Sequence, residues 1–242
     1  MSPRSRRPAD ADPRVTDGDA WAAIAAAPDP REAAAGLLRG SWEAARTRAA
    51  QRLEYGLGGV EVARLYAAAA DDMLAALWRF AAETLYPAPN PTAAERLSLI
   101  AVGGYGRGVL APFSDLDLLF LRPWKSNPRA EQVIEFMLYV LWDLGVKVGS
   151  AVRSVDECLA LAKTDMTVRT ALLEARPLAG DPDLTEQFIG RFRAMVAKAD
   201  PRPFIAAKLE ERDVRHQKTG TVRYRVEPNV KDGKGGLRDL NT

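Results

Sequence analysis

The sequence predicts an α/β fold of the α+β kind, a small strand-containing core flanked by helical segments. Three observations predict it. Two apolar runs of strand length, Leu97–Val102 and one ending near Leu121, are separated by the glycine-rich turn Gly103-Gly104-Tyr105-Gly106-Arg107-Gly108. Before them lie long alanine- and leucine-rich stretches with apolar residues at three- and four-residue steps. After them, further helical patterns open on capping signals.

Composition sets the outer limits. The chain has 242 residues, 47% hydrophobic and 27% charged, so it has ample material for a core, as one large domain or one and a half ordinary ones. A formal net charge of +2 gives no general polyanion-binding character, and no nucleic-acid partner is expected. The single cysteine, Cys158, excludes an internal disulfide and fits a reducing compartment. It reads as a packed helix residue, and the lone His216 gives it no local catalytic partner. No stretch approaches the roughly 18 apolar residues of a membrane span, so no membrane partner is expected and the expected location is cytoplasmic.

Taken in order, residues 1–16 are polar and proline-rich and predict a disordered tail. Acidic residues follow the early arginines, and Trp21–Ala27 is too short and alanine-heavy for a signal peptide. Residues 17–86 form a helical lead. Pro30 suits a first helical turn and opens one long helix, and Gly56, Gly58 and Gly59 break the pattern. A second helix, from about Val60 to Leu85, carries the stripe Met73, Leu74, Leu77, Trp78, Ala81 and Leu85. Pro87, Pro89 and Pro91 mark a linker into a core over residues 92–180. There a helix from Glu131 to about Leu144 is expected to bury Val133, Ile134, Met137, Leu138, Leu141 and Trp142. Val146–Arg153 reads as a strand, and Ser154-Val-Asp-Glu157 as a capping box before a helix to about Ala162. Another helix spans Asp165 to about Leu173, followed by an extended segment to Leu178. Residues 181–242 begin a helical follow-on, with helices near Pro182–Ala199 and Arg202–Lys218. The second shows a mixed-charge solvated face.

The chemistry concentrates where the second core strand opens, at Ser114-Asp115-Leu116-Asp117. Alternation along a strand puts Asp115 and Asp117 on one side, with Leu116, Leu118 and Phe120 on the other, toward a core. Gly103, Gly104 and Gly106 allow the main chain to approach a ligand closely, and successive turn amides make an anion-binding nest. Ser114 offers a hydroxyl and Arg107 a guanidinium fork to phosphate oxygens. Like charges at Asp115 and Asp117 repel, and a divalent cation relieves that repulsion. Taken singly, a Gly-Gly pair usually marks a turn and Asp-x-Asp a solvated strand end. Joined across two adjacent strands, they suit metal held against the phosphates of a nucleoside triphosphate. The spacing fits neither the dinucleotide fingerprint nor a P-loop.

The residues Gly103-Gly104-Tyr105-Gly106-Arg107, Leu110-Ala-Pro112 and Ser114-Asp115-Leu-Asp117 resemble the signature of the DNA polymerase beta-like nucleotidyltransferase superfamily. The longer form closely resembles the bacterial PII uridylyltransferases. Two later passages are similar to the same family: Val168–Gly180, and Glu227-Pro-Asn-Val-Lys231 with Gly235-Gly-Leu-Arg-Asp239. The resemblance spans roughly residues 30–242. It implies a polymerase beta-like core with a mixed sheet and a Mg2+-dependent transfer of UMP from UTP to a tyrosine of the PII signalling protein, releasing pyrophosphate. Asp115 and Asp117 would then be the catalytic metal ligands. Gly103, Gly104, Gly106, Arg107 and Ser114 would bind the nucleotide, and Lys231, Lys234 and Arg238 would close over the triphosphate.

The chain also departs from that pattern. The family commonly shows histidine after the glycine where this chain has Gly149-Ser150-Ala151. No third carboxylate stands in Val148–Arg153, and the nearest candidates are Asp143 and Glu174. Arg169, Thr170 and Arg176 are within the range of residues that reach phosphates, with a surface or ion-pair role the better expectation. Family members continue into a phosphohydrolase domain that removes uridylyl groups and into ACT domains that sense glutamine. This chain holds no His-Asp dipeptide, so it reads as an N-terminal portion to which uridylyl removal is not assigned. Two alternatives stay open: another protein- or small-molecule nucleotidyltransferase of the superfamily, and an inactive fragment that binds nucleotide or PII.

Overall fold

The computed structural model describes residues 18–88, 92–125, 127–219 and 229–240. The tail at residues 1–16, the linker residues 89–91, and Glu227 with Pro228 lie outside the described residues. Three helices form the lead: α1 (Gly18–Ala25), α2 (Pro30–Glu54) and α3 (Gly59–Arg79). The first was not anticipated, because its eight residues show too short a period to read. Asp29 caps α2 by accepting from the amides of Arg31 and Glu32, both at 3.0 Å, with Pro30 in the first turn. Helix α3 runs on into a π-helical segment, Phe80–Leu85, where the Tyr86 amide donates to the Ala81 carbonyl at 2.9 Å.

The core sheet has four strands: β1 (Ser98–Ala101), β2 (Leu116–Arg122), β3 (Val148–Ser154) and β4 (Arg176–Gly180). Their order is β3-β2-β1-β4, with β1 antiparallel to both β2 and β4, and β2 parallel to β3. The sheet is therefore mixed, as the resemblance implied. A short helix, α4 (Gly103–Gly106), joins β1 toward β2, and α5 (Pro128–Asp143) makes the crossover to β3. The sheet is followed in part by α6 (Val155–Thr164) and α7 (Met166–Leu173), which lead into β4. Ser154 and Glu157 form the expected capping box at the start of α6. After β4 come α8 (Pro182–Lys198), α9 (Pro201–Thr219) and α10 (Leu237–Leu240).

Two apolar clusters sandwich the sheet. Leu116, Leu118 and Phe120 face a large one shared with Leu38, Leu74, Leu77, Phe80 and Met137, so the lead helices pack directly on the core. Leu119 and Leu121 face a second, with Ile100, Cys158, Phe188 and Phe192. Strand β2 is thus buried on both faces, and burial pushes the Cys158 thiol up to about 11, which keeps it an inert packed residue. One expected core residue is corrected. Trp142 is 52% exposed and packs edge-on against Tyr139, with ring centroids 5.5 Å apart. The buried face of α5 instead runs through Val133, Phe136, Met137, Val140 and Leu141, which turns Trp142 to the rim.

Candidate active site

Strand β2 begins at Leu116, two residues later than the sequence suggested, so Asp117 lies on the strand and Ser114 and Asp115 on its approach. The chain enters through Phe113, which has φ +67° although it is not glycine, and whose ring lies 5.3 Å beneath the Arg46 guanidinium. Ser114 and Asp115 are exposed, whereas Asp117 is half-buried at the edge of the second apolar cluster.

The backbone shapes a slot around Asp117. Its carbonyl accepts from the Val102 amide at 3.0 Å, which ties the end of β1 to the start of β2. In the sheet register Asp117 stands opposite Gly149 of β3. A Cβ at Gly149 would sit 2.7 Å from Asp117 Oδ1, and one at Gly103 would sit 2.9 Å from Asp117 Oδ2. Gly103 also has φ +56°, a left-handed conformation that favours glycine. Both carboxylate oxygens are therefore reached by backbone where any side chain would intrude.

Electrostatics follow from that slot. Partial burial, and next the neighbouring Asp115, raise the Asp117 carboxyl above the usual carboxylate range, while Lys231 pulls it back down. A half-buried carboxylate with a like-charged neighbour and a glycine-lined cradle has the chemistry of a divalent-cation ligand, so the residues fit a metal. Among the described residues no group of three or more His, Cys, Asp or Glu side chains is arranged to hold one, so the chain's own offer is the pair. The third-carboxylate candidates do not join it. Asp143 pairs with Arg31 at 3.1 Å on the far helix, and Glu174 caps α7, where its carbonyl lies against Gly106.

The glycine turn is fixed from beneath. Tyr105 is fully buried, and its hydroxyl donates to Asp71 Oδ1 of α3 at 2.5 Å. Arg176 of β4 donates to both Asp71 oxygens, at 2.7 and 3.0 Å, and through Nε to the Gly106 carbonyl at 3.2 Å. Gly106 has no room for a side chain, since a Cβ would come within 2.0 Å of the Glu174 carbonyl oxygen. Gly104 differs. A Cβ there would meet only the Arg107 guanidinium, at an ordinary 3.6 Å, so its surface is open, and Arg107 itself is exposed.

The terminal segment 229–240 carries Lys231, whose charge lowers the Asp117 carboxyl. Asn229 Oδ1 accepts from the amides of Lys231 and Asp232, at 3.0 and 2.8 Å, folding the segment into a tight turn. Asp239 fastens it to α9: its carboxylate takes bonds from Arg215 at 2.7 Å and from the Gly235 amide at 2.7 Å, and lies 2.8 Å from His216 Nε2. These partners, the Gly235 amide first, hold Asp239 far below the usual carboxylate range. A cavity of about 530 Å³ is lined by Arg212, His216, Lys234, Gly235 and Asp239 beside this clasp. Lys231 acts on Asp117, whereas Arg238 is ion-paired with Asp232 at 3.1 Å.

The structure thus brings Gly103, Gly149 and Asp117 together, and the charges of Asp115 and Lys231 act on Asp117. Arg176 is ion-paired with Asp71, as expected, Thr170 bonds back to the Met166 carbonyl at 2.7 Å, and Arg169 stacks on Phe204 at 4.9 Å. Sequence reasoning missed Asp71 and the clasp at Asp239. The available signal was Asp71-Asp72, two acids inside an otherwise alanine- and leucine-rich helix.

A carboxylate pair at a strand start, facing a glycine turn on a small mixed sheet, defines a nucleotidyltransferase. The family described as nucleotidyltransferase domain matches residues 91–177, the stretch that carries the turn, the pair and strands β1 to β3. The family described as GlnD PII-uridylyltransferase matches residues 203–242. Along 212 residues the chain is 56% identical to a bifunctional uridylyltransferase/uridylyl-removing enzyme of Phenylobacterium zucineum (strain HLK1), covering 88% of this chain and 23% of that protein. A protein of the same name from Caulobacter vibrioides (strain NA1000 / CB15N) is 55% identical over 214 residues, with the same two coverages. Within the nucleotidyltransferases, then, the chain is similar over 88% of its own length to the bifunctional uridylyltransferase/uridylyl-removing enzymes, of whose length it spans 23%.

Proposed function

We propose that this chain carries out uridylyl transfer, moving UMP from UTP to a tyrosine hydroxyl of the PII protein and releasing pyrophosphate. The observation that carries the reading is the Asp117 slot, a raised carboxyl cradled by Gly103 and Gly149 beside Asp115. The relatives' name and the match at 203–242 support uridylyl and PII as donor group and acceptor. In this reading residues 92–180 form the transferase core, while the lead and the terminal segment frame it.

The roles follow from position. Asp115 and Asp117 hold Mg2+, which when bound offsets the triphosphate charge and the negative charge that develops on pyrophosphate. The turn from Gly103 to Gly106 brings main chain close to the phosphates, with Arg107 and Ser114 exposed at its ends to donate to phosphate oxygens. Lys231, brought in by the terminal segment, adds a positive charge facing Asp117. A bond forms between the tyrosine oxygen and the α-phosphorus as the α-phosphorus bond to the departing pyrophosphate oxygen breaks, and the phenolic proton is released. The expected location remains cytoplasmic, and among the described residues no helix is long and apolar enough to cross a membrane.

The test is incorporation of label from UTP into PII in the presence of Mg2+, with Asp117→Asn beside the parent chain. Label that the substitution abolishes supports the reading. Transfer from ATP rather than UTP, or undiminished transfer by Asp117→Asn, overturns it.

A further inference from the structure

The helical lead supplies a side chain that reaches the glycine turn although it lies outside the matched nucleotidyltransferase segment. We propose that Asp71 and Arg176 are positioning residues of the nucleotide turn, acting through Tyr105, so that the lead is a working part of the triphosphate site. The proposal rests on the proposed function for the identity of the nucleotide.

The geometry has three anchors on three elements. Asp71 is the hub on α3, receiving the Tyr105 hydroxyl at 2.5 Å and both Arg176 terminal nitrogens at 2.7 and 3.0 Å. Arg176 on β4 reaches past it to the main chain of the turn, donating to the carbonyls of Gly106 at 3.2 Å and Tyr105 at 3.4 Å. Its guanidinium also stands 5.4 Å from the Tyr105 ring centroid. The carbonyls of the turn are thus drawn inward, toward Arg176. What remains open is the surface at Gly104, where main chain can meet a phosphate closely.

The turn has little freedom left to drift. Gly106 is pressed against the Glu174 carbonyl, and Gly103 against Asp117. Rotating the turn about its buried tyrosine would therefore move Gly103 relative to the carboxylate that holds the cation. The clasp keeps the distance between the turn and Asp117 fixed before nucleotide arrives, and such pre-organisation lowers the cost of binding. Its protonation is also fixed. Burial and the Asp71 carboxylate push the Tyr105 hydroxyl far up, so it stays a donor, and Arg176 stays charged.

The experiment compares the full chain with Tyr105→Phe and Arg176→Lys. It reads equilibrium binding of UTP and of ATP with Mg2+, steady-state transfer to PII, and thermal melting. Tyr105→Phe keeps the buried ring and the Asp71–Arg176 pair, so melting stays near the parent's. UTP affinity is expected to fall about fivefold, the scale of one ordinary hydrogen bond, with KM for UTP raised alike and KM for PII unchanged. Arg176→Lys keeps the charge facing Asp71 but loses the bonds to the turn carbonyls, and is expected to weaken UTP binding further, by about tenfold or more. Lower melting with unchanged nucleotide affinity per folded molecule in both variants makes the clasp purely structural and overturns the proposal. A parent chain that binds both triphosphates and labels no PII overturns the proposed function while leaving the clasp judged by the binding arm. A parent that binds neither overturns both.

Discussion

Asp71 and Asp117 are the same residue type at comparable depth, and their surroundings are opposite. Asp71 meets a bidentate guanidinium and a tyrosine hydroxyl, so its charge and lone pairs are satisfied inside the protein. Asp117 has a like-charged neighbour, two glycines pressed on its oxygens, and only Lys231 to draw its carboxyl back down. The first arrangement closes on itself. The second leaves the carboxyl raised, a state that a bound cation would relieve. A carboxylate's function is thus told less by its burial than by whether the fold has already answered its charge.

That contrast breaks most sharply at Gly149. Gly149→Ala puts a Cβ within 2.7 Å of Asp117 Oδ1 and touches nothing near Asp71. Displacing one ligand-bearing oxygen is expected to lower metal affinity and transfer by about 10- to 100-fold, the scale seen when a metal ligand loses its orientation. Stability should change little. Mn2+ binding followed by its magnetic resonance signal, beside a urea titration, checks both halves. An unchanged metal affinity would show that the slot does not constrain Asp117.

The legible parts of this molecule are those whose signal is local. The glycine turn, the Asp pair, the Ser154–Glu157 capping box and the apolar stripe of α3 each occupy a few consecutive residues or one helical period, so the sequence exhibits them directly. Asp71, Tyr105 and Arg176 were not legible as a unit, because they meet only after α3, the turn and β4 have packed. Gly149 was read as part of a strand. Its significance comes from the parallel pairing of β2 with β3, which brings it opposite Asp117. Trp142 failed for a related reason: its period fits a buried stripe, and only the tilt of α5 on the sheet decides which edge of the stripe is left out.

Stability sharpens the same comparison with opposite signs. Asp71→Ala leaves the Arg176 guanidinium and the Tyr105 hydroxyl without their acceptor, and is expected to cost about 2 kcal/mol, reduced from the fully buried case because Asp71 and Arg176 are each about a third exposed. Asp117→Asn removes a desolvated charge beside Asp115, and should leave the metal-free chain as stable as the parent or slightly more so. Paired denaturation curves decide it. If both substitutions destabilise alike, the distinction between an answered and an unanswered carboxylate fails.

The smallest effect is the dependence on pH, and it separates Asp117 from Asp239. Asp117 has a folded-state value above its unfolded one. Its contribution to stability is therefore fully present below the unfolded value near 3.8 and is lost as pH rises through the folded value. Asp239, held down by Gly235, Arg215 and His216, behaves in the reverse sense, contributing above its unfolded value and losing that contribution as pH falls toward the folded one. On acidification the clasp of the terminal segment should loosen while the repulsion at the Asp pair relaxes. Hydrogen exchange across residues 229–240, corrected for the intrinsic effect of pH, should then rise in the parent only as pH falls below the unfolded value of 3.8, and already be high at neutral pH in Asp239→Asn. Metal affinity should begin to fall at a higher pH than an ordinary carboxylate pair would give, because protons compete for Asp117 sooner. A segment whose exchange ignores both pH and Asp239→Asn would mean that residues 229–240 are held by something other than this clasp.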